Sequence, residues 1–102
     1  MPRYLENKVV VVVGGGNAEH RGIAVALAEA GIDVAIAGEA IDLAAEAGLH
    51  SIANEVWAVG RRSMVVTLKS GDAVSFAVAL SQVQMELGRA DLVVRCDPIL
   101  NA

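Results

Sequence analysis

The chain has few aromatic residues, few prolines and a single cysteine among its 102 residues. Aromatic residues make up 3% of it, so aliphatic side chains supply most of the 55% hydrophobic content. Small aliphatic side chains suit close packing of helices on a sheet. The single cysteine, Cys96, excludes a disulfide within the chain. We expect it to be a small buried residue, with a reactive thiol at a strand end as the alternative.

Basic residues are also scarce, with eight against twelve acidic ones and a net charge of −4. This balance argues against non-specific binding to nucleic acid or to an anionic membrane. Apolar runs such as Val9–Val13 are far too short to span a bilayer, and the polar residues 1–8 lack the apolar core of a signal peptide. We therefore expect a cytoplasmic protein that binds neither nucleic acid nor membrane.

Apolar runs that do not alternate with polar residues predict four strands. Continuous β-branched runs are typical of strands buried on both faces of a parallel sheet. The four predicted strands are Val9–Val13, Val34–Ala37, Met64–Leu68 and Asp91–Val94.

Segments with helical periodicity lie between these runs, at about 18–30, 41–59 and 73–87. Each is followed by a glycine suited to end a helix, and Asp72 is suited to cap the third one. Gly48, inside the second segment, predicts a kink or a break. The apolar stripes expected to face the sheet are Ile23, Ala24, Leu27 and Ala28, then Leu43, Ala47, Ile52, Val56 and Val59, then Phe76, Ala77, Leu80, Val83 and Leu87.

Strands and helices therefore alternate along the whole chain. Right-handed crossovers then give a three-layer α/β/α architecture with a parallel sheet, for which we predict the strand order 3-2-1-4. Residues 1–102 are long enough for a single domain. A domain this small buries a modest share of its surface, so a partner surface would stabilise it.

A glycine-rich turn follows the first strand directly. Gly14, Gly15, Gly16 and Asn17 stand between that strand and the first helix, where backbone N–H groups and the helix dipole favour an anion. This is the position at which a Rossmann domain holds the pyrophosphate of a dinucleotide. Glu39 follows the second strand, where a carboxylate can accept hydrogen bonds from a ribose. It can equally be a solvated carboxylate at the start of a helix.

Two long stretches resemble the short-chain dehydrogenase/reductase family. LENKVVVVVGGGNAEHRGIAVALAEAGIDVAIAG is similar to its opening, and GRRSMVVTLKSGDAVSFAVALSQVQMELGRADLVV to its third strand, third helix and fourth strand. The match is collinear, apart from a few extra residues in the second helical segment. The resemblance implies a truncated Rossmann-like domain, the amino-terminal portion of the family alone.

The phosphate motif of that family, TGxxxGxG, is degenerate in this chain. Placed without gaps it falls on residues 13–20, where Gly14 matches but Val13, Ala18 and His20 replace the threonine and two glycines. A histidine cannot give the close helix–strand packing of the last glycine. Glu19 adds a charge that repels phosphate, which His20 and Arg21 offset in part.

Other family positions are also changed. Lys69 stands where the resemblance implies an aspartate that contacts the adenine, and Arg95–Pro98 replaces the usual NNAG. Glu39 would repel the 2′-phosphate of NADP. We therefore expect no tightly bound cofactor, and NAD rather than NADP if any binds.

The resemblance places the catalytic serine, tyrosine and lysine beyond the fourth strand, and Tyr4 precedes the first strand. We therefore expect no catalytic residues in this chain and no hydride transfer by it alone. His20 and His50 have no ligand-spaced partners, so no metal site is expected. We interpret His50 as a surface residue and Trp57 as a packing residue.

Three functions remain open from the sequence. The first is a non-catalytic module that acts in self-association or protein interaction. The second is a weak NAD(P)-binding module, and the third is a fragment of an NAD(P)-dependent oxidoreductase that needs a complementary protein chain. An open edge on the fourth strand predicts a homodimer or higher homo-oligomer. So does a second apolar stripe on the third helix, formed by Val74, Val78 and Met85.

Overall fold

A computed structural model describes residues 6–69 and 73–96 of the chain. Strands and helices alternate as the sequence predicts. They are β1 (Val9–Val13), α1 (Ala18–Glu29), β2 (Asp33–Gly38), α2 (Leu43–Val59), β3 (Ser63–Thr67), α3 (Ala73–Leu87) and β4 (Leu92–Arg95). Asp72, the predicted cap of the third helix, lies outside the described residues.

The four strands form one parallel sheet in the order β3-β2-β1-β4, which confirms the predicted topology. β1 lies between β2 and β4, with Val13 level with Ala37 on one side and Arg95 on the other. All five residues of β1 are buried because neighbouring strands and helices cover both of its edges and both of its faces. The glycine-rich turn therefore begins at the centre of the sheet.

Helices cover both faces of the sheet, so the three-layer prediction is also confirmed. Alternate residues of β1 point to opposite faces: Val10 and Val12 pack with α1 and α2, and Val9, Val11 and Val13 pack with α3. This division explains the unbroken valine run, since both faces of the strand meet apolar helix surfaces.

The second helix differs from the sequence prediction in two ways. It begins at Leu43 rather than residue 41, because the Asp42 carboxylate accepts a hydrogen bond from the Ala45 N–H at 2.8 Å and caps it. It also continues through Gly48, so the predicted break there is wrong, and the alternative of a kink stays a prediction. Gly48 allows the backbone of α2 to lie close to the backbone of the glycine-rich turn.

Several predicted packing positions are wrong by part of a helical turn. On α2, Leu43 and Ala47 are exposed, and Leu49 and Ala53 are buried in their place. Trp57 is 58% exposed, because the adjacent Val56 takes the inward position. The other corrections are Val59, which is exposed, and on α3 Ala77, which is exposed while Ala79 is buried.

Two carboxylates organise the amino-terminal edge of the sheet. Asp33 is buried at the start of β2 and accepts hydrogen bonds from the Arg62 N–H, the Arg61 Nε and the Arg62 Nε at 2.9–3.1 Å. Asp91, just before β4, accepts a hydrogen bond from the Val9 N–H at 2.8 Å. These contacts connect β2 to β3 and β1 to β4 at the end of the sheet away from the glycine turn.

Among the helices described, none is long and apolar enough to cross a membrane.

Candidate functional site

The carboxyl ends of the four strands bring the candidate residues to one edge of the sheet. β1 runs into Gly14, β2 ends at Gly38, and Cys96 follows β4. The Gly14 N–H donates to the Ala37 carbonyl at 2.9 Å, and a Cβ at position 38 would come within 2.3 Å of the Gly14 oxygen. The candidate turn therefore lies at the edge where open parallel sheets bind ligands.

The turn itself depends on Gly16. Its φ is +78°, a left-handed conformation that favours glycine, and a Cβ there would lie 3.1 Å from the Ala45 oxygen. On the other side of this contact, a Cβ on Gly48 would come within 2.6 Å of the Gly16 oxygen. α2 therefore lies directly against the turn, backbone to backbone.

Asn17 is the N-cap of α1. Its Oδ1 accepts a hydrogen bond from the His20 N–H at 3.0 Å, so its side chain satisfies a free N–H of the first helical turn. From its place in the glycine-rich turn, Asn17 is predicted to bind a cofactor. In the structure its side-chain oxygen already serves the helix.

His20 lies inside the turn and is completely buried. Its Nδ1 lies 3.0 Å from the Gly16 nitrogen, and its Nε2 lies 2.9 Å from the Val12 oxygen. A backbone N–H can only donate and a carbonyl can only accept, so Nδ1 is the acceptor and Nε2 carries the proton. The imidazole is therefore neutral and bridges β1 to the glycine turn.

Gly14 separates this imidazole from a thiol. A Cβ on Gly14 would lie 2.8 Å from the His20 Cγ and 2.6 Å from the Cys96 Sγ. The Cys96 thiol donates to the Val13 carbonyl at 3.2 Å and is half-buried rather than fully buried. The two side chains fill the space around Gly14, which explains why no larger residue fits there.

The charged candidates lie at the surface. Glu39 and Glu19 are exposed, and so is Lys69 beyond β3. Arg21 forms an ion pair with Glu55 of α2 and donates to the Ser51 Oγ at 3.1 Å. The sequence predicts that Arg21 offsets part of the Glu19 charge at the turn, but its guanidinium binds Glu55 and Ser51 of α2.

The residues of the turn, as they stand, do not fit a tightly held pyrophosphate. Phosphate binding at a glycine turn uses the outward N–H groups of the turn and of the first helical residues. Here the Gly16 N–H donates to the His20 ring and the His20 N–H donates to Asn17. The loss of the family glycine at position 20 is visible in the sequence, but the hydrogen bond between the Gly16 N–H and the imidazole that stands there is not.

The described part of the chain offers no cluster of side chains for binding a metal ion. Residues 6–69 and 73–96 contain no group of three or more histidine, cysteine, aspartate or glutamate side chains placed to hold a metal ion. His50, the second histidine, is exposed on α2 as expected.

No family model matches this sequence. The chain is 33% identical over 90 residues to an uncharacterized oxidoreductase of Mycobacterium tuberculosis, a match that covers 88% of this chain and 32% of the relative. Its fold is similar to that of a short-chain type dehydrogenase/reductase from Mycobacterium marinum, with a TM-score of 0.75, 26% identity, and coverage of 87% of this chain and 34% of the other.

The structure of an NAD⁺-bound xylitol dehydrogenase also matches, with a TM-score of 0.76. At 19% identity, over 87% of this chain and 32% of the other, that match concerns the fold alone. The chain spans about a third of the length of each of these relatives.

Proposed function

The chain belongs to the short-chain dehydrogenase/reductase family, of which it represents the amino-terminal Rossmann portion with a degenerate cofactor motif, and we propose that it acts as a non-catalytic module in self-association or protein interaction. The observation that carries the proposal is an exposed apolar surface on α3. The engaged donors of the glycine turn support the non-catalytic part of it, since a turn that binds its own side chain holds a cofactor poorly.

We name the surface formed by Val74, Val78 and Met85 the α3 face. These side chains are 71%, 52% and 84% exposed, on the side of α3 away from the sheet. A shallow groove of about 350 Å³ runs beside them, lined by Ala73, Val74, Ala77, Val78 and Ser81. Large apolar side chains grouped in exposed positions on one helix mark an interaction site.

The outer edge of β4 supports the same proposal. Among the described strands β4 pairs with β1 alone, and Leu92 is 58% exposed beside that edge. An open edge presents backbone N–H and C=O groups that pair with another chain. We favour packing of two α3 faces about a two-fold axis over edge-to-edge pairing, because the α3 face carries three exposed large apolar side chains and β4 carries one, Leu92.

Sedimentation equilibrium tests self-association directly. We expect the wild-type chain at micromolar concentration to exceed the 10.5 kDa monomer mass, and Val78→Glu to shift it toward the monomer. Leu43→Glu is the matched control, because Leu43 is an exposed apolar residue of α2, which packs on the opposite face of the sheet from α3. A single species at monomer mass for the wild type contradicts self-association.

The second candidate is a module that binds NAD weakly. Its support is the position of the glycine turn at the carboxyl edge of the sheet, with exposed Glu39 after β2, in a fold shared with an NAD⁺-bound dehydrogenase. Calorimetric titration with NAD and NADP separates this candidate from the first. A preference for NAD that disappears in Glu39→Gln would support it.

The third candidate is a fragment of an NAD(P)-dependent oxidoreductase that works with a complementary chain. Its support is the length of the relatives, about three times that of this chain. The α3 face and the β4 edge would then be covered by the complementary chain rather than by a second copy. The test adds a polypeptide that matches the remaining two thirds of the Mycobacterium tuberculosis relative. Nicotinamide-dependent turnover that appears on this addition would support this candidate over the first.

A cytoplasmic location is part of all three proposals, and cell fractionation tests it.

A further inference from the structure

We propose that the His20 imidazole is an internal ligand of the glycine turn, and that it determines which ligands the turn rejects. The ring occupies a donor that a phosphate oxygen would otherwise take, so the turn excludes pyrophosphate as long as the ring stays in place. This inference concerns the turn alone and stands whether or not the chain associates with itself.

The first support is the number of contacts the ring makes. Its two nitrogens bond the Gly16 N–H and the Val12 carbonyl at 3.0 and 2.9 Å, and the ring has no exposed surface. A ring bonded at both nitrogens and closed off from water is held in one orientation. Moving it would leave a part-buried donor and a buried acceptor without their partners, which is costly.

The second support is the chemistry of the contact with Gly16. Phosphate oxygens and a neutral imidazole nitrogen are both acceptors, so they compete for the same N–H group. The imidazole is attached to the chain and is always present at the turn, whereas pyrophosphate must be captured from solution. The turn also loses the His20 N–H to Asn17, which lowers the number of donors left for an anion.

The third support is the fit of the backbone around the ring. A Cβ on Gly14 would lie 2.8 Å from the His20 ring, and 2.6 Å from the Cys96 Sγ on its other side, so the ring and the thiol together require glycine there. The turn is therefore shaped around the imidazole, and removing the ring leaves a space that suits a free imidazole. Binding of free imidazole in that space can be measured without a dinucleotide and without enzyme activity.

The test compares His20→Gly with His50→Gly, which removes the exposed histidine of α2. We expect His20→Gly to lower the melting temperature by roughly 10 °C, and free imidazole to restore part of the loss. Imidazole should leave the wild type and His50→Gly unchanged. We expect inorganic pyrophosphate to bind His20→Gly about tenfold more tightly than wild type, as for one regained hydrogen bond to a charged oxygen, and imidazole to weaken that binding.

Equal effects of imidazole on all three proteins would overturn the inference, and so would equal pyrophosphate affinity. If His20→Gly does not fold, the conservative variants decide. His20→Asn retains an acceptor near the Nδ1 position and should still reject pyrophosphate. His20→Gln retains a donor near the Nε2 position and should admit it, and the reverse order contradicts the proposal. The nitrogen-15 shifts of the wild-type histidines provide a further check, since a proton on Nδ1 of His20 would exclude the contact with Gly16.

Discussion

The backbones of Gly16 and Gly48 touch, and a Cβ on Gly48 would lie 2.6 Å from the Gly16 oxygen. This contact seats α2 on the glycine turn and explains a glycine in the interior of a 17-residue helix. It also places the first turns of α2 beside the carboxyl edge of the sheet.

Gly48→Ala should destabilise the protein, although alanine is normally the better helix former. The intrinsic gain of about 1 kcal/mol is outweighed because the turn or α2 must shift to admit the methyl group, at a cost of about 2–3 kcal/mol. Gly22→Ala is the matched control, since Gly22 is exposed on α1 with open space around it, and it should stabilise by about 1 kcal/mol. Chemical denaturation of both variants measures the difference, and equal stabilisation would show that the Gly16 contact is not needed.

Restoring the family glycines should improve dinucleotide binding. The double variant Ala18→Gly and His20→Gly releases the Gly16 N–H, and Glu19→Ser then removes an exposed charge from the first turn of α1. We expect the affinity for NAD to rise by about tenfold in the double variant and further in the triple one. Calorimetry measures both. Micromolar binding of NAD by the wild type would show that the turn is not impaired.

The buried Asp33 should matter far more than an exposed ion pair. Asp33→Asn should cost about 2–3 kcal/mol, because a buried carboxylate that bonds two guanidinium groups is lost while Arg61 and Arg62 stay in place. Glu55→Gln, which breaks the exposed pair with Arg21, should cost less than about 1 kcal/mol. Urea denaturation compares the two, and similar losses would mean that the contacts of Asp33 between β2 and β3 stabilise the fold no more than an exposed ion pair does.

Asp91 should make stability depend on pH. The Val9 N–H and then Arg89 hold the pKa of Asp91 below its ordinary value of 3.8. A carboxyl with a lowered pKa in the folded state stabilises the fold above its unfolded pKa, and the contribution is lost as the pH falls through the folded-state pKa. Asp91→Asn should therefore be less stable than wild type near neutral pH, and the gap should close in acid below about pH 4.

Unfolding curves of wild type and Asp91→Asn across that range measure the gap. Arg89→Ala is the companion variant, because it removes the partner that lies 2.8 Å from the Asp91 carboxylate and leaves the carboxylate itself. A gap of constant size down to the acid limit would mean that the charge of Asp91 contributes nothing.

Much of the fold could be predicted from the printed residues. The valine run predicts β1, and the glycines at 31, 60 and 88 mark the ends of the three helices. Right-handed crossovers between alternating strands and helices then predict the strand order β3-β2-β1-β4, which the sheet has. Positions along the helices were less predictable. Trp57 is exposed and Leu49 is buried because the rotation of α2 depends on its contact with the glycine turn, which no local pattern encodes.

The candidate site, like the fold, could be predicted only in part from the sequence. The sequence by itself determined a glycine turn between strand and helix, the loss of two family glycines, and the acidic Glu39 after β2, because these follow from residue identity and order. Only the tertiary structure decided that His20 turns inward to bond Val12 and Gly16, that Arg21 serves α2, and that Gly48 meets the turn. Each of these contacts depends on where neighbouring elements bring a partner of the right shape and hydrogen-bonding capacity, which spacing along a chain does not specify.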